Sequence, residues 1–261
     1  MCRLLGLIAN KEVGLRFSLP RGPKTLRTLS QHNHDRWGIG YYKGGNPIVD
    51  KEPAPAHSSE EYRRAAALRQ SRIFIAHVRK AATGARTEAN THPFQHKGWL
   101  FAHNGSVDRE YLLAQLDDQH RRAVQGGTDS EMLFHWLLQN IEGRGSLAEG
   151  VEAAVNAIRD YRSLNFLLSD GSTLHAFRQA RSNLSYYTLF YLIRTPSDPR
   201  PEELSSSDVA VLLQSKTLRG ERAVLVCSER LTDESWVDIP AGSLVSVGSD
   251  LVQRVAKIAQ I

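Results

Sequence analysis

A thiol lies at the start of this chain, directly before an apolar run. Cys2 follows Met1, and Leu4 to Ala9 has the length and composition of a buried strand. Such a strand would hold the N-terminus within the fold, so Cys2 is expected to be anchored. Removal of Met1 would leave an α-amine and a thiol on one residue, which together supply a nucleophile and its base. Taken alone, a Met-Cys start has a simpler explanation, namely that a small residue at position 2 suits removal of the initiator methionine.

The composition is that of a globular protein. The chain has 261 residues, enough for one large domain or two small ones, with 41% hydrophobic and 23% charged residues. No apolar run approaches the roughly 18 residues of a membrane span, so no membrane association is expected. Cys2 and Cys227 are the only cysteines, and no segment has the pattern of a secretory signal, which favours a reducing, cytoplasmic setting. Cys227 lies in an apolar run and is expected to be an inert core residue.

The net charge of +5 and the pI of about 9.3 raise the question of nucleic-acid binding. Lysines and arginines are, however, scattered among acidic residues along the whole chain. The short pairs Arg63-Arg64 and Arg121-Arg122 are typical of solvated helix faces. No nucleic-acid partner is therefore expected.

Several short strands alternate with a few helices in the predicted secondary structure. Strands and hairpins are predicted at Leu4–Ala9, Trp37–Tyr42, Ile48–Val49, Ile73–Val78, Trp99–Ala102, Asn165–Ser169, Leu174–Arg178, Val224–Ser228 and Ser243–Val247. Helices are predicted to begin at Ser58, capped with Glu61, at Thr128 or Asp129, and at Leu147, the last running to Tyr161. Residues 18–35 and 196–208 are expected to be loops. Strands in two groups with helices between them indicate an α+β layered sandwich.

Two clusters contain groups suited to binding a small polar substrate. Arg79 ends the predicted strand at Ile73–Val78, and a guanidinium can hold a carboxylate through two parallel hydrogen bonds. A surface salt bridge is the alternative for this residue. In the segment Asn90-Thr91-His92-Pro93-Phe94, Pro93 restricts His92 to extended backbone, so this rigid turn either forms a pocket wall at His92 or is an ordinary loop.

Two further clusters concern catalysis and substrate charge. His103-Asn104-Gly105 follows a predicted strand, and it offers a side-chain amide beside an unshielded glycine N–H. These are two donors for an oxyanion, although Asn-Gly is also the usual sequence of a tight hairpin turn. In Gly126-Gly127-Thr128-Asp129-Ser130-Glu131, an acidic residue beside a glycine pair could bind an ammonium group or could simply cap a helix.

The order and spacing of these clusters, together with Cys2, resemble those of class II glutamine amidotransferases, which belong to the N-terminal nucleophile hydrolases. The resemblance is strong over residues 2 to about 140 and looser over 160–250. It implies one glutamine amidotransferase domain over residues 2–261, with a four-layer αββα sandwich of two mostly antiparallel sheets. His103-Asn104-Gly105 combined with Cys2 is its most specific motif.

The resemblance also implies a role for each matching residue. Cys2 matches the nucleophile, with its own α-amine as proton acceptor. Asn104 and Gly105 match the oxyanion hole, through the side-chain amide and the backbone N–H. Arg79 matches the residue that holds the substrate α-carboxylate. Asp129 matches the one that holds the α-amine, with Gly127 and the His92 turn lining the same pocket.

Some positions have a supporting role or depart from the family pattern. Asp35 through Gly40 resembles the strand that supports the nucleophile. His77, His92 and His103 are expected to act as hydrogen-bonding scaffold. A threonine follows the arginine by three residues in the large synthases, whereas Thr83 follows Arg79 by four, so no substrate role is assigned to Thr83.

The implied activity is hydrolysis of the γ-amide of glutamine or of a related γ-glutamyl amide through a thioester at Cys2. This chemistry requires no metal and no organic cofactor. Because about 250 residues are used by the glutaminase-like domain, no acceptor domain is expected. The chain would then act as a stand-alone amidohydrolase, like the γ-glutamyl hydrolase of ergothioneine biosynthesis, or as a glutaminase subunit that delivers ammonia to a separate partner. The oligomeric state is not encoded in these patterns.

Two other classes of protein are alternatives to an amidohydrolase. A metal hydrolase could use some of the ten histidines, such as His32 with His34 or His92 with His96. Pro93, however, breaks the helix that the His92–His96 spacing would need to bring both rings to one metal. A non-catalytic regulatory protein that binds glutamate or glutamine in the same pocket is the other alternative.

Overall fold

Two antiparallel sheets form the centre of the protein. The computed structural model describes residues 2–15, 36–79, 87–195 and 221–259, with the backbone only at Arg79. Every strand pair in these segments is antiparallel. The predicted loops at 18–35 and 196–208 lie entirely outside the described residues.

The first sheet has seven strands, with the N-terminal strand at its centre. In spatial order it consists of β11 (Val237–Asp238), β9 (Phe190–Arg194), β10 (Ala223–Cys227), β1 (Arg3–Gly14), β4 (Gln70–Arg79), β2 (Arg36–Lys43) and β3 (Asn46–Glu52). Strand β1 is therefore hydrogen-bonded on both edges, to β10 and to β4. This double pairing anchors the chain immediately after Cys2, as the apolar run predicts.

The second sheet has six strands. In spatial order it consists of β13 (Gln253–Lys257), β12 (Ser243–Val247), β8 (Leu174–Arg178), β7 (Tyr161–Ser169), β6 (Trp99–Val107) and β5 (Phe94–His96). Strand β5 is short and pairs with only the first three residues of β6, from Trp99 to Phe101.

Five helices lie in the described residues, and none of them is long and apolar enough to cross a membrane. They are α1 (Glu60–Leu68), α2 (Arg109–Gln115), α3 (Asp118–Ala123), α4 (Asp129–Arg144) and α5 (Leu147–Ala157). Thr128 caps α4 through its side-chain oxygen, which accepts a hydrogen bond from the backbone N–H of Glu131, as predicted.

Alternation along β1 shows how the layers are built. Leu4 and Ile8 point into an apolar core that also contains residues of the second sheet, such as Leu167. The intervening residue Leu5 points to the opposite face, where the core includes Tyr62 of α1. A third core joins the outer face of the second sheet to α2, α4 and α5. The result is the predicted four-layer αββα sandwich of two antiparallel sheets.

Two predicted helix ends are wrong by a few residues. The N-cap of α1 is Ser59 and not Ser58, because the Ser59 side chain accepts from the backbone N–H of Tyr62. The helix predicted to reach Tyr161 ends at Ala157. Tyr161 instead begins β7, where it pairs with Val107 of β6, so the sheet ladder overrides the helical pattern at that point.

A buried imidazole predicts acid sensitivity of the fold. His175 in β8 is 5% exposed, its Nδ1 lies 2.8 Å from Ser246 Oγ, and burial lowers its pKa to about 4, opposed by the nearby Asp170 carboxylate. The unfolded chain therefore takes up a proton near pH 6.5 that the folded protein does not accept until about pH 4. This component of stability is complete above pH 6.5 and is lost as the pH falls toward 4. We expect a loss of about 2–3 kcal/mol between pH 7.5 and 4.5 from this group.

The measurement is urea unfolding at a series of pH values for the wild type and for His175→Gln. The variant should be less stable at pH 7.5 but should lose less stability on acidification. Parallel pH profiles for the two proteins would contradict the assignment to His175.

Candidate active site

The side chain of Asn104 holds the first residue of the described chain. Its Nδ2 donates to the backbone carbonyl of Cys2 at 2.9 Å and to Ser228 Oγ at 3.2 Å. Its Oδ1 lies 3.0 Å from Nε2 of His77, and the side chain is buried. The amide is therefore held from both ends, and its donor nitrogen faces the residue that carries the thiol.

The start of β1, the end of β10 and the second half of β6 meet at this point. Ser228 follows β10, and its Oγ accepts from the backbone N–H of Leu4 at 2.7 Å. The backbone N–H of Ser228 donates to the Leu4 carbonyl at 3.2 Å, which continues the pairing of β1 with β10. Asn104 reaches the same group from β6 of the other sheet. The packing of the two sheets thus brings the start of β1 and the second half of β6 together.

The segment at Asn104 and Gly105 is strand and not the predicted tight turn. Strand β6 runs on to Val107, and Asn104 pairs with Asn165 while Gly105 pairs with Leu164 of β7. Pairing with β7 over the whole length of β6 outweighs the turn preference of the Asn-Gly dipeptide.

Near the site, the edge of β6 that faces away from β7 is not paired with another described strand. Strand β5 ends its pairing at Phe101, so within the described residues the stretch from Ala102 to Val107 has a strand partner only in β7. Half of the backbone N–H and C=O groups of an unpaired strand edge point away from the neighbouring strand and can bind other groups. One of these positions is occupied by a carboxylate, that of Asp129.

Gly105 is exposed, whereas the preceding Asn104 is buried. A Cβ atom at residue 105 would lie 1.8 Å from the backbone oxygen of Ser163 and 2.7 Å from Nε2 of His103. No side chain fits in that space without displacing the backbone of β7. Only glycine is therefore compatible with this close pairing, and its backbone borders solvent beside the Asn104 amide.

Asp129 is fixed close to Gly105 by its own hydrogen bonds. Its Oδ2 accepts from the backbone N–H of Val107 at 3.1 Å, and its Oδ1 accepts from the N–H of Ser130 at 3.0 Å. Val107 is two residues beyond Gly105 on β6. The carboxylate stands at the N-terminus of α4 and is half-buried, which leaves part of it facing solvent beside the open edge.

The glycine pair before α4 forms a tightly held loop. The backbone N–H groups of Gln125 and Gly126 donate to the two carboxylate oxygens of Glu131 at 2.8 and 2.7 Å. Burial raises the pKa of Glu131, although these two hydrogen bonds and Lys51 favour its charged form. The N–H of Gly127 donates to Asn90 Oδ1 at 2.8 Å, and Gly127 itself is exposed, with open space where a Cβ would stand.

The backbone of Arg79 lies near Cys2. Arg3 pairs with Val78, so Arg79 follows at the end of β4 that adjoins the start of β1. On its other side Arg79 pairs with Arg36 of β2. The side chain of Arg79 is not among the described groups, and Met1, Asp35 and Thr83 also lie outside the described residues.

His92 lies behind the Asn104 amide. It is 3% exposed, and its ring centroid is 4.3 Å from that of His77, which contacts Asn104. A Cβ at Gly38 would lie 2.1 Å from the His92 carbonyl oxygen, so β2 approaches this turn closely. His92 therefore packs against His77, the residue whose ring contacts the Asn104 side chain.

Ser228 and Asn90 are the site residues that sequence analysis missed. Ser228 is visible in the sequence only as the polar residue that ends an apolar strand, and nothing there links it to Cys2 or Asn104. Asn90 belongs to a segment already singled out for its rigid turn, but its bond to Gly127 depends on a contact 37 residues away.

The second cysteine is separate from this chemistry. Cys227 is fully buried, and burial raises the pKa of its thiol to about 12. A thiol with that pKa stays protonated at neutral pH and cannot act as a nucleophile. This agrees with the prediction of an inert core residue.

The sequence is similar to those of known proteins along most of its length. The model of the class-II glutamine amidotransferases matches residues 1–259. The Escherichia coli protein YafJ is 31% identical over 260 residues, which cover 93% of this chain and 95% of YafJ. The γ-glutamyl-hercynylcysteine sulfoxide hydrolase of Mycobacterium tuberculosis is 31% identical over 186 residues, covering 67% of this chain and 76% of the hydrolase.

The fold has counterparts among solved structures. The glutamine phosphoribosylpyrophosphate amidotransferase of Bacillus subtilis superposes with a TM-score of 0.67 at 14% identity, covering 99% of this chain and 50% of that protein. At that identity the likeness concerns the fold alone. The family model that matches residues 1–259 and the 31% identity with YafJ show that this chain belongs to the class-II glutamine amidotransferase family.

Proposed function

We propose that residues 2–261 form a single catalytic domain that hydrolyses the γ-amide of glutamine, or of a related γ-glutamyl amide, through a thioester at Cys2. The observation that carries this proposal is the 2.9 Å hydrogen bond from Asn104 Nδ2 to the backbone carbonyl of Cys2. It places a side-chain amide donor next to the residue that bears the thiol, although the two are 102 positions apart in the sequence.

The nucleophile and its base belong to the same residue in this proposal. After removal of Met1, the α-amine of Cys2 has a reference pKa of about 8, close to the roughly 8.5 of a thiol, so it can accept the thiol proton near neutral pH. Cys2 is partly exposed, whereas the following strand is buried from Leu4 to Ala9. The nucleophile would therefore be accessible and yet attached to a rigid strand.

The developing negative charge would be bound at the open edge of β6. Attack of the thiolate on the γ-carbonyl carbon forms a carbon–sulfur bond and moves an electron pair onto the oxygen. Asn104 Nδ2 and the backbone N–H of Gly105 are the proposed donors to that oxygen. Both belong to a strand that is paired with β7 and supported by His77, so their positions are fixed before the reaction. Asn104 Nδ2 already donates to the Cys2 carbonyl and to Ser228 Oγ, and it would exchange one of these two hydrogen bonds for the one to the oxyanion.

The two charged ends of a free glutamyl group would be held on either side of this point. Asp129, fixed to Val107 beside Gly105, is the proposed partner of the α-ammonium group, and Gly127 with its open space lines the same pocket. Arg79, at the end of β4 nearest Cys2, is the proposed partner of the α-carboxylate. His92 would support this pocket from behind, through its contact with His77.

Collapse of the tetrahedral intermediate breaks the carbon–nitrogen bond. The protonated α-amine of Cys2 gives its proton to the leaving nitrogen, which departs as ammonia or as an amine, and a γ-glutamyl thioester remains. A water molecule that passes its proton to the same amine then attacks the thioester and releases glutamate. These steps need no metal and no organic cofactor.

The acyl donor is best tested with a small panel of amides. The similarity to the Mycobacterium tuberculosis hydrolase supports including γ-glutamyl amides larger than glutamine. The purified full-length protein would be incubated with L-glutamine and with a γ-glutamyl anilide, and glutamate and the released ammonia or amine would be quantified. Equal amounts of glutamate and of ammonia or amine are expected from at least one compound. No hydrolysis is expected of D-glutamine, whose α-ammonium group points in the wrong direction for Asp129, or of N-acetylglutamine, which has no ammonium group for Asp129 to bind. Absence of glutamate release from every γ-glutamyl amide would contradict the proposal.

A further inference from the structure

Three histidines that are distant in sequence meet near the β5–β6 hairpin, where β6 begins. His96 ends β5, His120 lies in α3 and His135 lies in α4. One possible ligand nitrogen from each ring lies within 4.8 Å of those from the other two. Among the described residues, no other group of three histidine, cysteine or acidic side chains is close enough to share a metal ion. The ring centroids of His96 and His135 are 4.9 Å apart.

Each ring has a buried nitrogen that lacks a hydrogen-bond partner among the described residues. These are Nε2 of His96, Nδ1 of His120 and Nδ1 of His135. His120 is 1% exposed and His135 is 2% exposed, so bulk water does not compensate for them. Buried polar atoms are almost always satisfied by a partner, and three unsatisfied atoms in one cluster therefore indicate a missing ligand.

A carboxylate orients the third ring. Glu142 Oε2 lies 3.3 Å from Nε2 of His120, and the other oxygen of Glu142 accepts from the Lys97 ammonium at 3.1 Å. A proton on Nε2 shared with this carboxylate leaves the lone pair on Nδ1, the nitrogen without a partner. A carboxylate behind a histidine is the usual way in which metal-binding histidines are oriented.

We propose that His96, His120 and His135 bind one divalent transition-metal ion of the zinc class, with the remaining coordination position open to water. Three histidine ligands with one open position are a common zinc ligand set. Tetrahedral binding at about 2.0–2.1 Å would bring the nitrogens to about 3.4 Å from one another, which shortens the present spacing of at most 4.8 Å by no more than about 1.4 Å.

The proposed role of the metal is to join α3 and α4 to the β5–β6 hairpin. His96 pairs with Trp99 across that hairpin, and Trp99 is five residues from Asn104, about 17 Å along the strand. The ion would therefore be remote from Cys2 and separate from the proposed amide hydrolysis. Helix α3 has only six residues, and a metal bond through His120 would attach it to the rest of the fold.

The test is metal binding by the full-length protein, prepared with a purification tag that contains no histidines and stripped with a chelator. Zinc would be titrated in competition with a chromogenic chelator, and cobalt would be added as a spectroscopic probe of tetrahedral nitrogen ligands. We expect one zinc per chain and a rise in Tm of about 5–10 °C at a zinc concentration near 100 times Kd.

Two cluster variants and two controls identify the ligands. His96→Gln and His135→Gln should weaken zinc binding at least about 100-fold. His57→Gln, at another half-buried position, and His175→Gln, at another buried one, should bind zinc as the wild type does. The wild-type titration decides the question even if a variant does not fold. Failure of the stripped wild type to bind stoichiometric zinc at about 10 µM free metal, or equal affinity in the cluster variants, would overturn the proposal. Neither result would bear on the amide hydrolysis proposed at Cys2.

Discussion

Cys2→Ala is expected to lower the rate of γ-amide hydrolysis by about 10,000-fold or more, because the acyl group then has no sulfur to which it can be transferred. Alanine is small enough to allow removal of Met1, so the α-amine is retained and the thiol alone is tested. Cys2 precedes β1 and is only partly buried, so we expect little change in the stability of the fold. The measurement is release of glutamate by equal amounts of folded wild type and variant.

The chain contains its own control for this experiment. Cys227→Ala removes the other thiol, which is fully buried and whose pKa is raised to about 12. This variant should lose some stability through the small cavity that it leaves, but its folded fraction should keep full activity. Retention of more than about a tenth of the activity by Cys2→Ala, or loss of activity in folded Cys227→Ala, would be inconsistent with Cys2 as the nucleophile.

Asn104→Asp is expected to reduce kcat by about 100- to 1,000-fold with a smaller change in KM. Aspartate has almost the shape of asparagine, but it replaces the Nδ2 donor with a charged oxygen. That oxygen would repel the Cys2 carbonyl, which Nδ2 contacts at 2.9 Å, and would also repel the oxyanion of the intermediate. Since the oxyanion exists only along the reaction path, most of the loss should fall on kcat.

Asn165→Asp is the matched control. Asn165 pairs with Asn104 on the neighbouring strand, and it is also buried with hydrogen bonds at both ends of its amide, to Thr188 and Gln179. The substitution should cost stability to a similar degree but should leave the kcat of the folded protein near that of the wild type. Equal losses of kcat in the two variants would indicate a general effect of a buried carboxylate and would argue against a special role for Asn104.

Much of the fold could be predicted from local patterns. The apolar run after Cys2 predicts a buried strand, and β1 contains it and is hydrogen-bonded on both edges. The hairpin of β7 and β8 and the cap of α4 at Thr128 also follow from sequence, since each depends on residues close together in the chain. Apart from the one-residue error in the N-cap of α1, the features that were mispredicted depend on pairing between distant segments.

Asn104 and Gly105 illustrate that limit. Their chemical importance was predicted, but their conformation was not, because Asn-Gly favours a tight turn and only the pairing with β7 shows it to be strand. Ser228 was missed for the same reason, since its contacts with Leu4 and Asn104 span more than a hundred residues.

The three-histidine cluster could not be found from spacing. The sequence pairs His96 with His92 as possible ligands, but Pro93 prevents the helix that this spacing requires. In the structure His92 contacts His77, whereas His96 lies with His120 and His135, which come from two helices that follow much later in the chain. Such a group becomes visible only when helices α3 and α4 are packed on the sheet.

Intact-protein mass spectrometry tests directly whether Cys2, after removal of Met1, is the nucleophile of a pocket shaped for glutamine. The intact mass of the purified protein would be recorded before and after incubation with a diazo-ketone analogue of glutamine, which alkylates N-terminal nucleophiles. We expect a starting mass that lacks one methionine and, after incubation, a single adduct that maps to Cys2. A chain that retains Met1 and forms no adduct would contradict this expectation.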